Sequence, residues 1–155
     1  MSLIELDLVD KKILRQLQDN GKKLNTELAD EVGLTPAPCL RRVKRLEQEG
    51  VIDRYEAKLN AKKLGIDLTV FVTVTLDQQD TKLFESFTQA MCEKAEVQEC
   101  HLILGEGDFL LKIRVKDLEE YQKFLLEHVT GSHAVRSVHS AIAIKTDKES
   151  SQLAI

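Results

Sequence analysis

The chain has 155 residues, 43% of them hydrophobic and 31% charged, which suits one compact domain or two very small ones with a real core. Its 22 Lys and Arg against 26 Asp and Glu leave a formal net charge of −4, which excludes a uniformly basic nucleic-acid binder and a polybasic membrane-surface protein. No apolar run reaches the ~18 residues that span a bilayer, the acidic N-terminus lacks a secretory pattern, and three cysteines without a CxxC pair point to reduced thiols in a cytoplasm.

The first sixty residues read as successive helices. From Leu6 to Leu17, Val9, Ile13, Leu14 and Leu17 share one helical face, with Asp7 as N-cap and Asn20-Gly21 as terminator. A short helix from Asn25 buries Leu28, Ala29 and Val32 and ends at Gly33. A third opens with Thr35 as cap and Pro36 at its first position, and runs to Glu49 before Gly50. Beyond it, Val51–Leu59 reads as an extended segment. Thr69–Leu76 alternates as a strand, Thr81–Ala95 is a helix, and Val97–Leu104 a strand. After the Gly105-Glu106-Gly107 turn, Phe109–Val115 is a strand, Asp117 caps a helix to about Val129, and Ala134–Lys145 is the last strand.

Three helices followed by β-α-β-β-α-β make the expected fold class α+β. An N-terminal three-helix helix-turn-helix (winged-helix-like) domain occupies 1–52, a hinge or linker strand 53–65, and a split-βαβ, ferredoxin-like domain 66–155. Its four strands would form an antiparallel sheet with both helices on one face.

The third helix carries a charge pattern. At roughly 100° per residue, Cys39, Leu40, Val43, Leu46 and Glu47 fall on one side, while Arg41 and Arg45 lie near the centre of the other with Ala37, Pro38 and Gln48. Arg42 and Lys44 flank that face. Pro36–Leu46 thus holds four cations and no acid, and arginine suits bidentate contacts to guanine and phosphate. The small Thr35 and Ala37 let the helix end approach base edges in a major groove. A solvated helix with Glu47 and Glu49 pairing to Lys44 and Arg45 has the same composition.

The second half shows no catalytic constellation and no phosphate loop. His101, His128, His133 and His139 lack metal-ligand spacing and read as surface or strand-pair residues. Glu106 and Asp108 read as a polar hairpin tip rather than an acid/base pair. The hairpin Leu104-Gly105-Glu106-Gly107-Asp108-Phe109 has glycines that turn backbone N–H groups toward a carboxylate and an acid that can hold an ammonium group. A plain β-turn is the alternative.

The segments LDLVDKKILRQLQDNG (6–21), TELADEVGLTPAPCLRRVKRLEQEGVI (26–52), TVFVTVTL (69–76) and VQECHLILGEGDFLLKIRV (97–115) resemble the leucine-responsive regulator/AsnC (feast/famine) family of transcription factors, over essentially the whole chain. The resemblance implies that Thr35, Pro36, Ala37, Arg41, Arg42 and Arg45, with Lys44 in the same cation cluster, lie at or near double-stranded DNA. It implies that the ferredoxin-like (RAM) half pairs sheet to sheet into a homodimer and assembles further, often to an octamer. It implies a free amino acid such as leucine as effector, held between dimers by the loop Leu104, Gly105, Glu106, Gly107 and Asp108, with Ser140 and Ile142 near. The family loop typically reads Gly-Asp-aromatic-Asp-aromatic; here Glu106 is a longer acid and Gly107 lacks the ring.

The expected function is therefore a sequence-specific, amino-acid-responsive transcription regulator, cytoplasmic and nucleoid-associated. It would have no catalytic residues, no metal, no membrane partner and no cofactor beyond the effector. The alternative is an amino-acid-sensing protein-interaction module that does not bind DNA. The charge divides accordingly: residues 1–60 hold 11 basic and 11 acidic side chains, and residues 61–155 hold 11 and 15, so the deficit lies in the sensor half.

Overall fold

Asp7 and Asp10 close the first helix reciprocally. The Asp10 N–H donates to Asp7 Oδ1 at 2.8 Å and the Asp7 N–H to Asp10 Oδ2 at 3.2 Å, a capping box built from two aspartates. This starts α1 (Leu8–Asp19). Helix α2 (Asn25–Val32) ends on Gly33, whose φ of 74° only glycine adopts without strain. Helix α3 (Pro36–Gln48) begins with Pro36 in the first turn. Thr35 holds the N-cap position by backbone alone, its hydroxyl making no capping hydrogen bond, contrary to the capping role expected of it. Ile13, Leu14, Leu28, Ala29, Val32, Cys39 and Leu46 form the buried core of these helices.

The computed structural model describes residues 4–131 and 134–155; the reading of His133 lies outside the described residues. The chain divides into two units, one of residues 1–58 with 148–155 and one of residues 59–147. The last eight residues thus pack with the helices rather than with the 66–155 domain expected from the sequence. Ile155 lies against the helical core, and Gln152 and Leu153 bond to α1. The linker expected as a strand over 53–65 forms none within one chain, because no neighbouring strand pairs with it. A single 3-10 turn, Lys62–Leu64, is its regular structure.

The second unit runs β1 (Leu68–Leu76), α4 (Thr81–Cys92), β2 (Val97–Leu102), β3 (Phe109–Val115), α5 (Leu118–Phe124) and β4 (Val135–Ile142). The strands form one antiparallel sheet in the order β2-β3-β1-β4. Val70, Val72, Val74 and Leu76 alternate inward on β1, as do Phe109, Leu111, Ile113 and Val115 on β3. They pack against Phe87 and Met91 of α4 and Tyr121 and Phe124 of α5. Phe109 sits 4.7 Å from Phe87 and 5.5 Å edge-on from Phe84, so one ring joins β3 to α4. The helix expected to run to Val129 widens after Phe124 into a π-helical turn, Leu125–Thr130. Helix α4 stops at Cys92, three residues early, where the Val97 N–H turns back to the Lys94 carbonyl. Among the described residues no helix is long and apolar enough to cross a membrane.

Candidate DNA-reading face and effector loop

Burial of Cys39 and Leu46 fixes the rotation of α3 on its neighbours. Desolvation there pushes the Cys39 thiol above its ordinary pKa, as expected of a packing residue. Opposite the buried seam, Ala37, Arg41, Lys44 and Gln48 are exposed and recur at helical spacing along one stripe, and Thr35 and Pro36 are exposed at its leading end. Asn25 of α2 braces that end, donating from Nδ2 to the Pro36 carbonyl at 2.8 Å.

Two of the four cations of α3 stand apart. Arg42 Nη1 donates to Asp7 Oδ2 at 2.6 Å and to Asp10 Oδ1 at 2.8 Å. Arg45 Nη2 donates to Asp10 Oδ2 at 2.5 Å, and its Nε lies 3.7 Å from Glu49 Oε2. Arg45, placed by projection near the centre of the open face, therefore leans to the flank that meets α1. Arg41 and Lys44 make no ion pair among the described residues. The Asp10 backbone N–H and the Arg42 guanidinium hold the Asp7 carboxyl below its usual pKa, and both aspartates raise that of Arg42. Asp10 is a functional candidate that the sequence reading does not contain. Its one local signal is an acid at the third position of a helix beginning with a capping Asp.

In the second unit the hairpin between β2 and β3 is anchored by Asp108. Its N–H donates to the Val74 carbonyl at 2.9 Å, its carbonyl accepts from the Ile103 N–H at 2.9 Å, and its Oδ2 accepts from the Leu76 N–H at 2.8 Å. Leu76 lies where the β1–β4 register shifts, so the carboxylate serves an amide beside that irregularity. Gly107 has φ 89°, and a Cβ there would stand 2.4 Å from Thr73 Cγ2. A side chain at position 107 would therefore have to displace Thr73. Leu104, Gly105 and Glu106 are exposed at the tip.

Ser140 and Ile142 sit elsewhere. They pair with Val72 and Val70, so Ser140 lies four β1 residues, about 13 Å, from the Leu76 register position. Both belong to the helix-facing side, where Ser140 Oγ hydrogen-bonds the Tyr121 hydroxyl at 2.5 Å. Within one chain, the loop tip and these two residues do not form a single pocket. The opposite side of the sheet is open and carries Phe71, His139 and Ala141 exposed, with Thr73 and Leu110 half-buried.

Residues 69–153 match the family described as the Lrp/AsnC ligand binding domain, and residues 6–53 match winged helix-turn-helix DNA-binding. The chain is 42% identical over 151 residues to the leucine-responsive regulatory proteins of Escherichia coli K12 and Klebsiella pneumoniae, covering 97% of this chain and 92% of each relative. Among solved structures it resembles a transcriptional regulator of Neisseria meningitidis in complex with L-Met, with TM-score 0.92 and 33% identity over 97% of both chains. An AsnC family transcriptional regulator from Agrobacterium tumefaciens matches with TM-score 0.92 and 33% identity over 96% of this chain and 97% of that one.

Proposed function

The chain belongs to the Lrp/AsnC family of amino-acid-responsive, DNA-binding transcription regulators, which are not enzymes, and from that premise we propose how its two units divide the work. Helix α3 enters a major groove leading end first. Thr35, Pro36 and Ala37 stand at the base edges, Arg41 and Lys44 reach bases and phosphates, and Arg42 and Arg45 form the flank toward α1. A homodimer formed through the open face of the sheet sets two such helices on successive grooves of a pseudo-palindromic site. Dimers join into a higher oligomer, an octamer, in the cytoplasm at the nucleoid.

The effector is a free amino acid with an apolar side chain, of the leucine or methionine class. It binds between dimers at Leu104–Asp108 of one chain, with Ser140 and Ile142 supplied by another. The separation of these two groups within one chain supports a site completed by a second copy, and the names of the relatives support the ligand class. Binding that favours one assembly over another changes DNA occupancy through differential affinity for the two states.

The observation that carries this reading is the exposed stripe of α3 with a small-residue leading end and unpaired cations. A mobility-shift titration on the DNA upstream of the protein's own reading frame tests it, with and without leucine or methionine. Specific retardation that changes with the amino acid is expected; no retardation above competitor DNA overturns it. The protein-interaction alternative has no comparable support, since residues 6–53 match a DNA-binding family.

A further inference from the structure

Asp10 is 1% exposed, the only charged side chain buried among the described residues. Buried charge is costly unless it is paired and hydrogen-bonded. Here both oxygens are used: Oδ1 accepts from Arg42, and Oδ2 accepts from Arg45 and from the Asp7 N–H. The two arginines come from successive turns of α3, and Asp10 comes from the first turn of α1. Asp7 on the far side of Arg42 and Glu49 beside Arg45 complete a set of three carboxylates around two guanidiniums. The cluster therefore offers no net positive charge to an approaching polyanion. It also orients both guanidiniums along the seam between the helices.

We propose that Asp10 is a positioning residue for DNA reading. It withdraws Arg42 and Arg45 from the contact surface and reinforces the rotation of α3 that burial of Cys39 and Leu46 sets, so that Arg41 and Lys44 are the cations facing the groove beside Thr35, Pro36, Ala37 and Gln48. Four adjacent cations would otherwise grip any phosphate backbone, because that attraction carries no sequence information. Pairing two of them internally halves the indiscriminate charge on the helix and leaves a narrower reading surface. The inference rests on α3 being the helix that meets DNA.

The salt dependence of binding to a duplex of scrambled sequence tests it, because log K falls by on the order of 0.9 per phosphate neutralised for each unit of log salt. Arg41→Gln flattens that slope by about 0.9 for each phosphate it no longer neutralises, and Arg42→Gln and Arg45→Gln leave it unchanged. Asp10→Asn keeps one acceptor but removes the carboxylate that the two arginines share; Arg42 stays on Asp7 at 2.6 Å, and Arg45, left with Glu49 at 3.7 Å, is the guanidinium released. The substitution steepens the slope by about 0.9 per guanidinium released, which a merely structural role would not do. If Asp10→Asn does not fold, as judged by loss of helical circular dichroism, the three arginine variants decide. Arg42→Gln or Arg45→Gln flattening the slope as Arg41→Gln does overturns the inference while leaving α3 as the reader. An Arg41→Gln variant with the parent slope overturns the placement of DNA on α3 and the role of Asp10 with it.

Discussion

Gln18 and Leu153 exchange two hydrogen bonds, Gln18 Nε2 to the Leu153 carbonyl at 3.1 Å and the Leu153 N–H to Gln18 Oε1 at 2.6 Å. The pairing is extended on both sides. Gln152 Nε2 donates to Asp19 Oδ1 at 2.9 Å, Arg15 Nε to the Ile155 carbonyl at 2.7 Å, and Lys58 Nζ to the Glu149 carbonyl at 2.6 Å. Residues 148–155 are thereby part of the helical unit, although the preceding strand β4 belongs to the sheet.

Gln18→Ala removes both reciprocal bonds. They are solvent-exposed, so the net loss is about 1 kcal/mol, which corresponds to roughly fivefold faster hydrogen exchange at α1 amides that open through unfolding of this unit. Removing residues 148–155 has a larger effect, because Ile155 also leaves the apolar cluster. Unchanged α1 protection in the truncated chain would show that the segment contributes nothing to the unit.

Gly107→Ala meets two obstacles, the positive φ of 89° and Thr73 Cγ2. The first costs about 1–2 kcal/mol and the clash about 1–3 kcal/mol more. Urea denaturation should report a loss of about 2 kcal/mol or more. Thr73→Ser in the same chain deletes the clashing methyl and should recover the second part but not the first. Equal stability of Gly107→Ala with and without Thr73→Ser would mean that the methyl is not the obstacle.

What local sequence could and could not disclose follows from the reach of each interaction. Asp7, Gly33 and Pro36 mark helix ends because caps act within one turn, and Phe109–Val115 is legible residue for residue because inward and outward side chains alternate. Asp10 pairs with arginines 32 and 35 residues away, and Gln18 bonds across 135 residues. No window of a few turns contains such partners. Projection of α3 places Arg45 by its Cα direction alone, whereas a long side chain goes where its counter-charge lies. The loop is legible as glycine-rich, but its pattern presents Asp108 as a ligand group when one of its oxygens already serves the Leu76 amide.

That double use of Asp108 decides which variant is informative. Asp108→Ala leaves the Leu76 N–H without its acceptor, at a cost of about 1–3 kcal/mol, so loss of effector binding there confounds ligand and fold. Asp108→Asn keeps an oxygen for Leu76 and removes the charge that would hold an ammonium group. Calorimetry with leucine and methionine should show binding weakened about tenfold or more in Asp108→Asn, as expected for loss of a charge-assisted bond of about 1.5–3 kcal/mol, with unfolding unchanged. Parent affinity in Asp108→Asn would confine Asp108 to its role as an anchor.

Tyr55 supplies a pH signature for the helical unit. Its ring lies against Gly21, where an added Cβ would stand 3.2 Å from Tyr55 Cδ1, and its hydroxyl donates to Glu47 Oε1 at 2.9 Å. Tyr55 is 49% exposed, and the partial desolvation of its covered side, the hydrogen bond to Glu47 and the charge of that carboxylate push the phenol from 10.0 to about 12. The protonated form is thus favoured by the fold. Its contribution is complete below the unfolded phenol's pKa of about 10 and is lost as pH rises toward 12, because the unfolded chain ionises first. Ultraviolet titration of a Tyr121→Phe chain isolates this phenol and should place its midpoint near 12, with Glu47→Gln moving it down toward 10. Tyr55→Phe should correspondingly reduce the fall in stability of the helical unit between those two pH values. A midpoint at the ordinary phenol value would show that Tyr55 is not held against Glu47 in solution.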